Sequence, residues 1–352
     1  MKITELKQIL SPEECFIVIS PENRLYLTGF SSSDGYLLIT KGKSLFLTDS
    51  RYIEAAQKQC CGCDEIKLLK DGFVQINEEL RKAQVKSLLC EEEKLTVKEY
   101  NSLCEKLDIP VHYKKLDEAV LAMRRKKSVK EKDKILVSQR IAENAFEKIL
   151  EYIKPGLTEK DVATQLDYYM LKEGAHATAF ETICVSGPNS SLPHGVPGGR
   201  IIQNGDFITL DFGAEVDGYR SDMTRTVAVG FVNEKMKEVY RVVLAAQEAA
   251  IASYRPGQSC ALADKAARDY IANAGYGEYF GHSTGHGVGI DIHESPFVSP
   301  KSKQTLAYGD IVTAEPGIYL PGLFGVRIED MVYITEDGNE NLTETSKDLI
   351  IL

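Results

Sequence analysis

Asp211 and Asp222 stand eleven residues apart in the stretch DFGAEVDGYRSDMTRT, residues 211–226, where a buried strand would ordinarily carry Val or Ile. Asp217-Gly218 between them is a two-residue hairpin signal. With that pair as the loop, Val216 faces Tyr219 and Gly213 faces Asp222. Side chains alternate along a strand, so Asp211 shares the face of Gly213. The two aspartates are then diagonal neighbours, roughly 7–8 Å apart at the backbone. Gly213 is expected to leave the space between them open. Two like charges this close are unfavourable without a cation. The plain alternative is a pair of solvent-facing acids on an edge hairpin.

A second stretch, GHSTGHGVGIDIHESP at 281–296, holds His282, His286 and His293, three of the six histidines. His282 and His286 have helical metal-pair spacing, but four glycines argue against a helix. The stretch is expected to be a glycine-rich loop entering a strand with Val288, Ile290 and Ile292 on one face. Alternation then puts His286 and His293 on opposite faces, and both reach one site only if the strand bends or bulges. A third stretch, VTAEPGIYLPGLFGVRIED at 312–330, ends an apolar strand at Glu315. Its second strand sets Arg327 and Glu329 opposite Val326 and Ile328. A buried strand-end Glu is costly unless paired or metal-bound. An exposed Arg-Glu strand face is the plain reading of 327 and 329 taken alone. Together, four carboxylates and at least one imidazole suit two hard or borderline divalent ions. Two ions about 3.5–4 Å apart can share a water, lower its pKa and clamp both oxygens of a displacement.

The elements that must hold these residues follow a repeat. Residues 153–174 and 254–275 align without a gap. Each copy ends a long helix at Pro-Gly (Pro155-Gly156, Pro256-Gly257), because Pro cannot continue the ladder. Each then offers a hydroxyl cap, Thr158 or Ser259, to a new helix. Each new helix closes at Gly174 or Gly275. A β-rich stretch follows both times. A duplicated α+β half places a site in the cleft between the halves. Upstream, short β-rich runs (ECFIVIS, GYLLIT, SLFLTD) alternate with helical patterns (SRYIEAAQKQC, TVKEYNSLCEKL), as in a small α/β domain. The charge run MRRKKSVKEKDK leads into a helix that Ser128 can cap. The division expected is an α/β domain over 1–122 and the α+β domain over 123–352.

The chain has 352 residues, a net charge of −10 and a pI near 5.3. That balance is not a nucleic-acid footprint. MKITELKQIL has no apolar leader core, and no run approaches a membrane span. Eight scattered cysteines suit reduced thiols in a cytoplasm. CCGC at Cys60, Cys61 and Cys63 has no second cluster at zinc spacing, and is read as a turn with free thiols.

With these motifs in order, the chain resembles the proline-specific metallopeptidases of the pita-bread fold, which include Xaa-Pro aminopeptidases, Xaa-Pro dipeptidases (prolidases) and methionine aminopeptidases. YLTGF (26–30) and TDSRY (48–52) resemble the N-terminal domain of the Xaa-Pro branch. PHG, the two-aspartate stretch, the histidine stretch, EPGIYLPG and GVRIED resemble its catalytic domain. The resemblance implies that Asp211, Asp222, His286, Glu315 and Glu329 ligate two divalent ions, Mn²⁺ first, with Co²⁺, Fe²⁺ or Zn²⁺ open. Asp222 and Glu329 would bridge or chelate the pair, with Asp211 on one ion and His286 with Glu315 on the other. It further implies that Glu315 shuttles a proton and that His293 holds the scissile carbonyl. His194 and His282 would line the leaving-proline side, with Arg327 and Tyr319 beside the site. Proline-containing peptides are the implied substrates, aminopeptidase action is preferred to dipeptidase action, and a homodimer is expected. A non-catalytic peptide-binding relative and a metal-free creatinase-like hydrolase share the fold, but the five ligand positions disfavour both. The loop GFSSSDG (29–35) is more polar than the family's usual form, with Asp34 for a small residue, and that puts substrate length in question.

Overall fold

In the computed structural model, which describes residues 2–113 and 115–352, the chain divides into two compact units between Arg124 and Arg125. The helix Lys115–Arg125 runs across positions 122 and 123. The first unit is built on a six-stranded sheet. In chain order its strands are Glu14–Val18, Tyr36–Thr40, Ser44–Thr48, Glu65–Leu68, Ser87–Cys90 and Val111–His112. They lie in the spatial order fourth, third, second, first, fifth, sixth. The first three pair antiparallel, while the fourth, fifth and sixth join parallel after helical crossovers. Near-continuous apolar strands fit that cover, because a sheet flanked by helices buries both faces. Leu38, Leu45, Leu47, Ile76, Leu80, Leu88 and Leu103 form one core cluster of this unit. Beneath the polar 31–35 loop lies Arg24, which is buried and donates to the backbone oxygens of Ser32, at 2.7 Å, and Gly35. Asp34 turns outward to Arg51, 3.3 Å away.

The second unit carries the repeat. Helices Val129–Tyr152 and Glu159–Lys172 form the first hairpin, and Glu234–Ser253 and Cys260–Asn273 the second. Both long helices stop just before their Pro-Gly, as proline demands. Ser128 opens the first of them, its backbone N–H and hydroxyl both donating to Glu131. Thr158 caps its helix in full, accepting from the Asp161 N–H while that carboxylate accepts from Thr158. Ser259 differs from the expectation: it sits at the N-cap, but its side chain makes no capping bond. The Cys260 N–H donates instead to the Gln304 oxygen. The equivalent contact in the first half runs from the Glu159 N–H to the Arg200 oxygen.

The likeness continues past the helices. Bridges join Thr158 to Ile201 and Ser259 to Thr305. A turn carboxylate follows each, Asp206 accepting from the Gln203 N–H and Asp310 from the Ala307 N–H. Strands Phe207–Phe212 and Ile311–Ala314 begin next. Both halves therefore deliver an acid at the same place, Asp211 inside its strand and Glu315 one residue past the end of its own. The first strand lies between Met223–Ala228 and Ile183–Ser186. The second lies in a five-stranded sheet between Gly285–Gly287 and Asp330–Ile334. Each half has its own apolar cluster, around Phe146, Leu166 and Phe212 in the first and Val239, Ala263 and Val332 in the second.

Candidate metal centre

The aspartate hairpin has the register that its turn requires. Val216 opposes Tyr219, Glu215 opposes Arg220, and the same alignment resumes with Phe212 opposite Met223 and Asp211 opposite Thr224. Asp217 and Gly218 have φ of 52° and 76°, the two left-handed positions of a type I′ turn. The role expected for Gly213 is different. A Cβ there would sit 1.9 Å from the Ser221 carbonyl oxygen and 3.1 Å from Ala179. The glycine is demanded by the opposing backbone rather than by open space between the acids.

The histidine stretch departs from the expected long strand. Its strand covers only Gly285–Gly287, the chain turns through 288–293, and it returns as Glu294–Val298. The pairing shifts register between His286 and Gly287. This reversal, rather than alternation along one strand, brings His286 and His293 together, with ring centroids 4.3 Å apart at 69°. Val288, Ile290 and Ile292 therefore do not share a strand face. Arg327 and Glu329 are 3% and 1% exposed, so the exposed reading of that strand fails.

Other buried polar residues hold the loops. Glu159 accepts from the Ser186 N–H and hydroxyl, the Asn189 amide and the Gly198 N–H, which fixes the loop carrying His194. Asp264 accepts from the Thr284 N–H and hydroxyl, and from Arg268, which in turn donates to the His282 oxygen.

All nine side chains that the motifs single out for catalysis or metal binding line one cavity of about 330 Å³. They are His194, Asp211, Asp222, His282, His286, His293, Glu315, Arg327 and Glu329. Asp222, His286 and Glu329 each offer an atom within 4.8 Å of the others. Asp211 and Glu315 flank that trio rather than joining it. His286 Nε2 is 3.5 Å from both Asp222 Oδ2 and Glu315 Oε1. Arg327 Nη2 donates to Asp211 Oδ2 at 2.5 Å, and its Nη1 to the Tyr319 oxygen at 2.8 Å. Several contributors carried no signal in the sequence. Thr224 donates to Glu329 Oε2 at 2.6 Å, and Thr313 accepts from the His286 N–H at 3.1 Å. Phe180, Ile183, Pro193, Ile292 and Phe297 complete the wall.

The electrostatics favour added positive charge. Burial, then Glu329, Asp211 and Glu315, push the Asp222 carboxyl well up. Burial and the same crowding by Glu315 and Asp211 raise Glu329. Glu315 is pushed up to about 8, chiefly by burial. Burial also lowers His286 to about 3 and His282 to about 4, so both rings are neutral near pH 7. His286 Nδ1 lies 3.1 Å from the Gly287 oxygen, which assigns the proton to Nδ1 and leaves the Nε2 lone pair facing the acids. Asp211 Oδ1 is buried with no partner. Arg327 is the one permanent cation among the lining residues and cannot offset four acids. Oxygen donors, one inward imidazole and an orphaned carboxylate oxygen fit hard or borderline divalent cations.

The doubled α+β architecture thus frames a buried, acid-rich centre of the kind that holds divalent cations. The chain belongs to metallopeptidase family M24, which matches residues 133–336, and a creatinase/prolidase N-terminal domain matches 11–126. It is 39% identical to an Xaa-Pro dipeptidase of Pyrococcus horikoshii, over 99% of this chain and 97% of that one. Among solved structures it resembles the Xaa-Pro dipeptidase from Bacillus anthracis, with a TM-score of 0.95, 40% identity and coverage of 100% and 99%. It also resembles the X-Pro aminopeptidase from Thermotoga maritima, with a TM-score of 0.93, 35% identity and coverage of 99% and 100%.

Proposed function

We propose that this chain hydrolyses the Xaa-Pro bond of short peptides with two divalent ions held by Asp211, Asp222, His286, Glu315 and Glu329. The observation that carries the proposal is the trio Asp222, His286 and Glu329 within 4.8 Å, flanked by two further acids in one buried cavity. When bound, such ions polarise a carbonyl and lower the pKa of a coordinated water.

The chain's own residues supply the rest. Glu315 Oε1 stands 3.5 Å from His286 Nε2 in the same cavity and is assigned the general acid–base role. His293 faces the same cavity and is assigned the scissile carbonyl oxygen. His282 and His194 are assigned the proline side. The His282 ring is fixed by Ser283 O at 2.8 Å and by the Tyr319 hydroxyl at 2.8 Å. Phe180, Ile183 and Pro193 offer an apolar wall suited to a pyrrolidine ring.

The relatives named for dipeptides are 39% and 40% identical, against 35% for the aminopeptidase, so dipeptides are the first reading. The aminopeptidase preference drawn from the motifs is the second. Ala-Pro and Ala-Pro-Ala, assayed side by side, discriminate: cleavage of the tripeptide at comparable kcat/KM restores the aminopeptidase reading. Mn²⁺, a cytoplasmic setting and a homodimer belong to the same proposal, tested by metal replacement, fractionation and light scattering. Metal analysis tests its centre. The wild type should hold two ions per chain, and Asp222→Ala should lose metal. That variant's activity should fall more than about a hundredfold, the upper range for groups that merely brace a ligand. Fewer than one ion per chain, with no hydrolysis after manganese or cobalt is added, overturns the proposal.

A further inference from the structure

Three cysteines of the first unit stand at the end of the helix Ile53–Gln59, just before the edge strand Glu65–Leu68. They are not equivalent. Cys60 and Cys63 are half-buried, and their sulfurs lie 3.6 Å apart in S–H···S contact. Cys61 is exposed and turns away, its thiol 3.4 Å from the Gln59 oxygen. The backbone fixes this split. The Cys60 N–H still closes the helix onto Ala56, and the Cys61 N–H donates to the Thr28 oxygen at 2.7 Å. Gly62, at φ 82°, then reverses the chain so that Cys63 returns over Cys60. Asp64 pins the far side through Lys7 at 2.6 Å and through the Ser44 N–H and hydroxyl. A C-x-x-C pair held this way lacks the four converging donors of a structural zinc site. It has what a disulfide needs: two sulfurs in contact, a turn already closed and partial access to solvent.

We propose that Cys60 and Cys63 are a reversible redox pair, oxidised to an intrachain disulfide by exchange with low-molecular-weight disulfides. The two sulfurs need to close by about 1.5 Å to reach bonding distance. The contact with Cys63 lowers the Cys60 thiol against the upward push of burial, with Thr28 assisting, while Cys63 is raised. Cys60 is therefore the attacking sulfur. Its thiolate displaces one thiolate from the external disulfide and forms a mixed disulfide. Cys63 loses its proton to solvent and attacks the Cys60 sulfur, releasing the second thiolate. Two protein thiols are oxidised, and one external disulfide becomes two thiols.

The test uses the full chain, equilibrated without oxygen across a series of oxidised to reduced glutathione, acid-quenched, alkylated and mapped by mass spectrometry. A Cys60–Cys63 link is expected as a single two-electron step. It should be half-complete at a ratio at least about tenfold lower than that giving the mixed disulfide on exposed Cys104, because the resolving sulfur is intramolecular. Cys63→Ser should stop at glutathione on Cys60, and the reduced forms of the variant and the wild type should hydrolyse peptide equally. A link through Cys61, or free Cys60 and Cys63 at ratios that already modify Cys104, overturns the proposal. The wild-type map decides this even if the variant folds poorly.

Discussion

Tyr319 shows how much of the site depends on groups that never touch a metal. Its hydroxyl receives Arg327 Nη1 and meets His282 Nε2, both at 2.8 Å, so it joins the cation that braces Asp211 to the His282 ring. Tyr319→Phe leaves a buried guanidinium N–H and an imidazole nitrogen each short of a partner, a cost of about 1–3 kcal/mol. Metal content should stay at the wild-type value while kcat/KM falls, and loss of metal would show that Tyr319 holds the ligands themselves. Asp64 offers a test within the first unit. Lys7, then the Ser44 N–H and hydroxyl, hold its carboxyl at about 2, below the ordinary 3.8. A depressed folded value gives stability that is present above pH 4 and lost as pH falls through about 2. Asp64→Asn should therefore shrink the drop in urea midpoint between pH 5 and pH 2.5. At this scale the sequence was informative where residue type and cost coincide. An acid in an apolar strand is conspicuous, and so are three histidines among glycines. Thr313, Phe180 and Ile183 were invisible, because a threonine or an apolar residue in a strand needs no special explanation.

Among elements, the aspartate ribbon was the most legible, since Asp-Gly fixes the turn and the turn fixes every pair behind it. What escaped was the reason for Gly213, because carbonyl approach between strands leaves no composition signal. Gly213→Ala drives a Cβ against the Ser221 oxygen, so the ribbon must part. Destabilisation of about 1–3 kcal/mol is expected from the overpacking. Activity should fall beyond what stability explains, because Asp211 and Asp222 flank the strained point. Thermal melts and kcat/KM measured well below the melting range separate the two effects. The histidine stretch was misread for a related reason. Period-two alternation describes a strand that continues, and here the chain reverses after three residues. The helix punctuation was sound at Thr158 and only positional at Ser259, whose side chain makes no capping bond.

For the molecule as a whole, every proposed ligand lies between Arg125 and Leu352, together with both apolar clusters that support the two halves. A fragment of residues 125–352 should therefore bind as many divalent ions per chain as the full protein, measured by elemental analysis after dialysis. A loss of metal would place part of the binding energy in the first unit. The repeat was legible because proline and glycine mark helix ends whatever the surrounding residues are. The matched strands were not, since the helical segments are offset by 101 positions and the strands by 104. Asp211 and Glu315 occupy the same place in their respective halves. A half-length ancestor pairing with itself would have been forced to present identical acids across its own dyad. Joining the copies in one chain lifts that restriction. One acid can become longer by a methylene, a histidine can arise on one side only, and the two sides of the pocket can specialise separately for the two ends of a bond that is itself unsymmetrical.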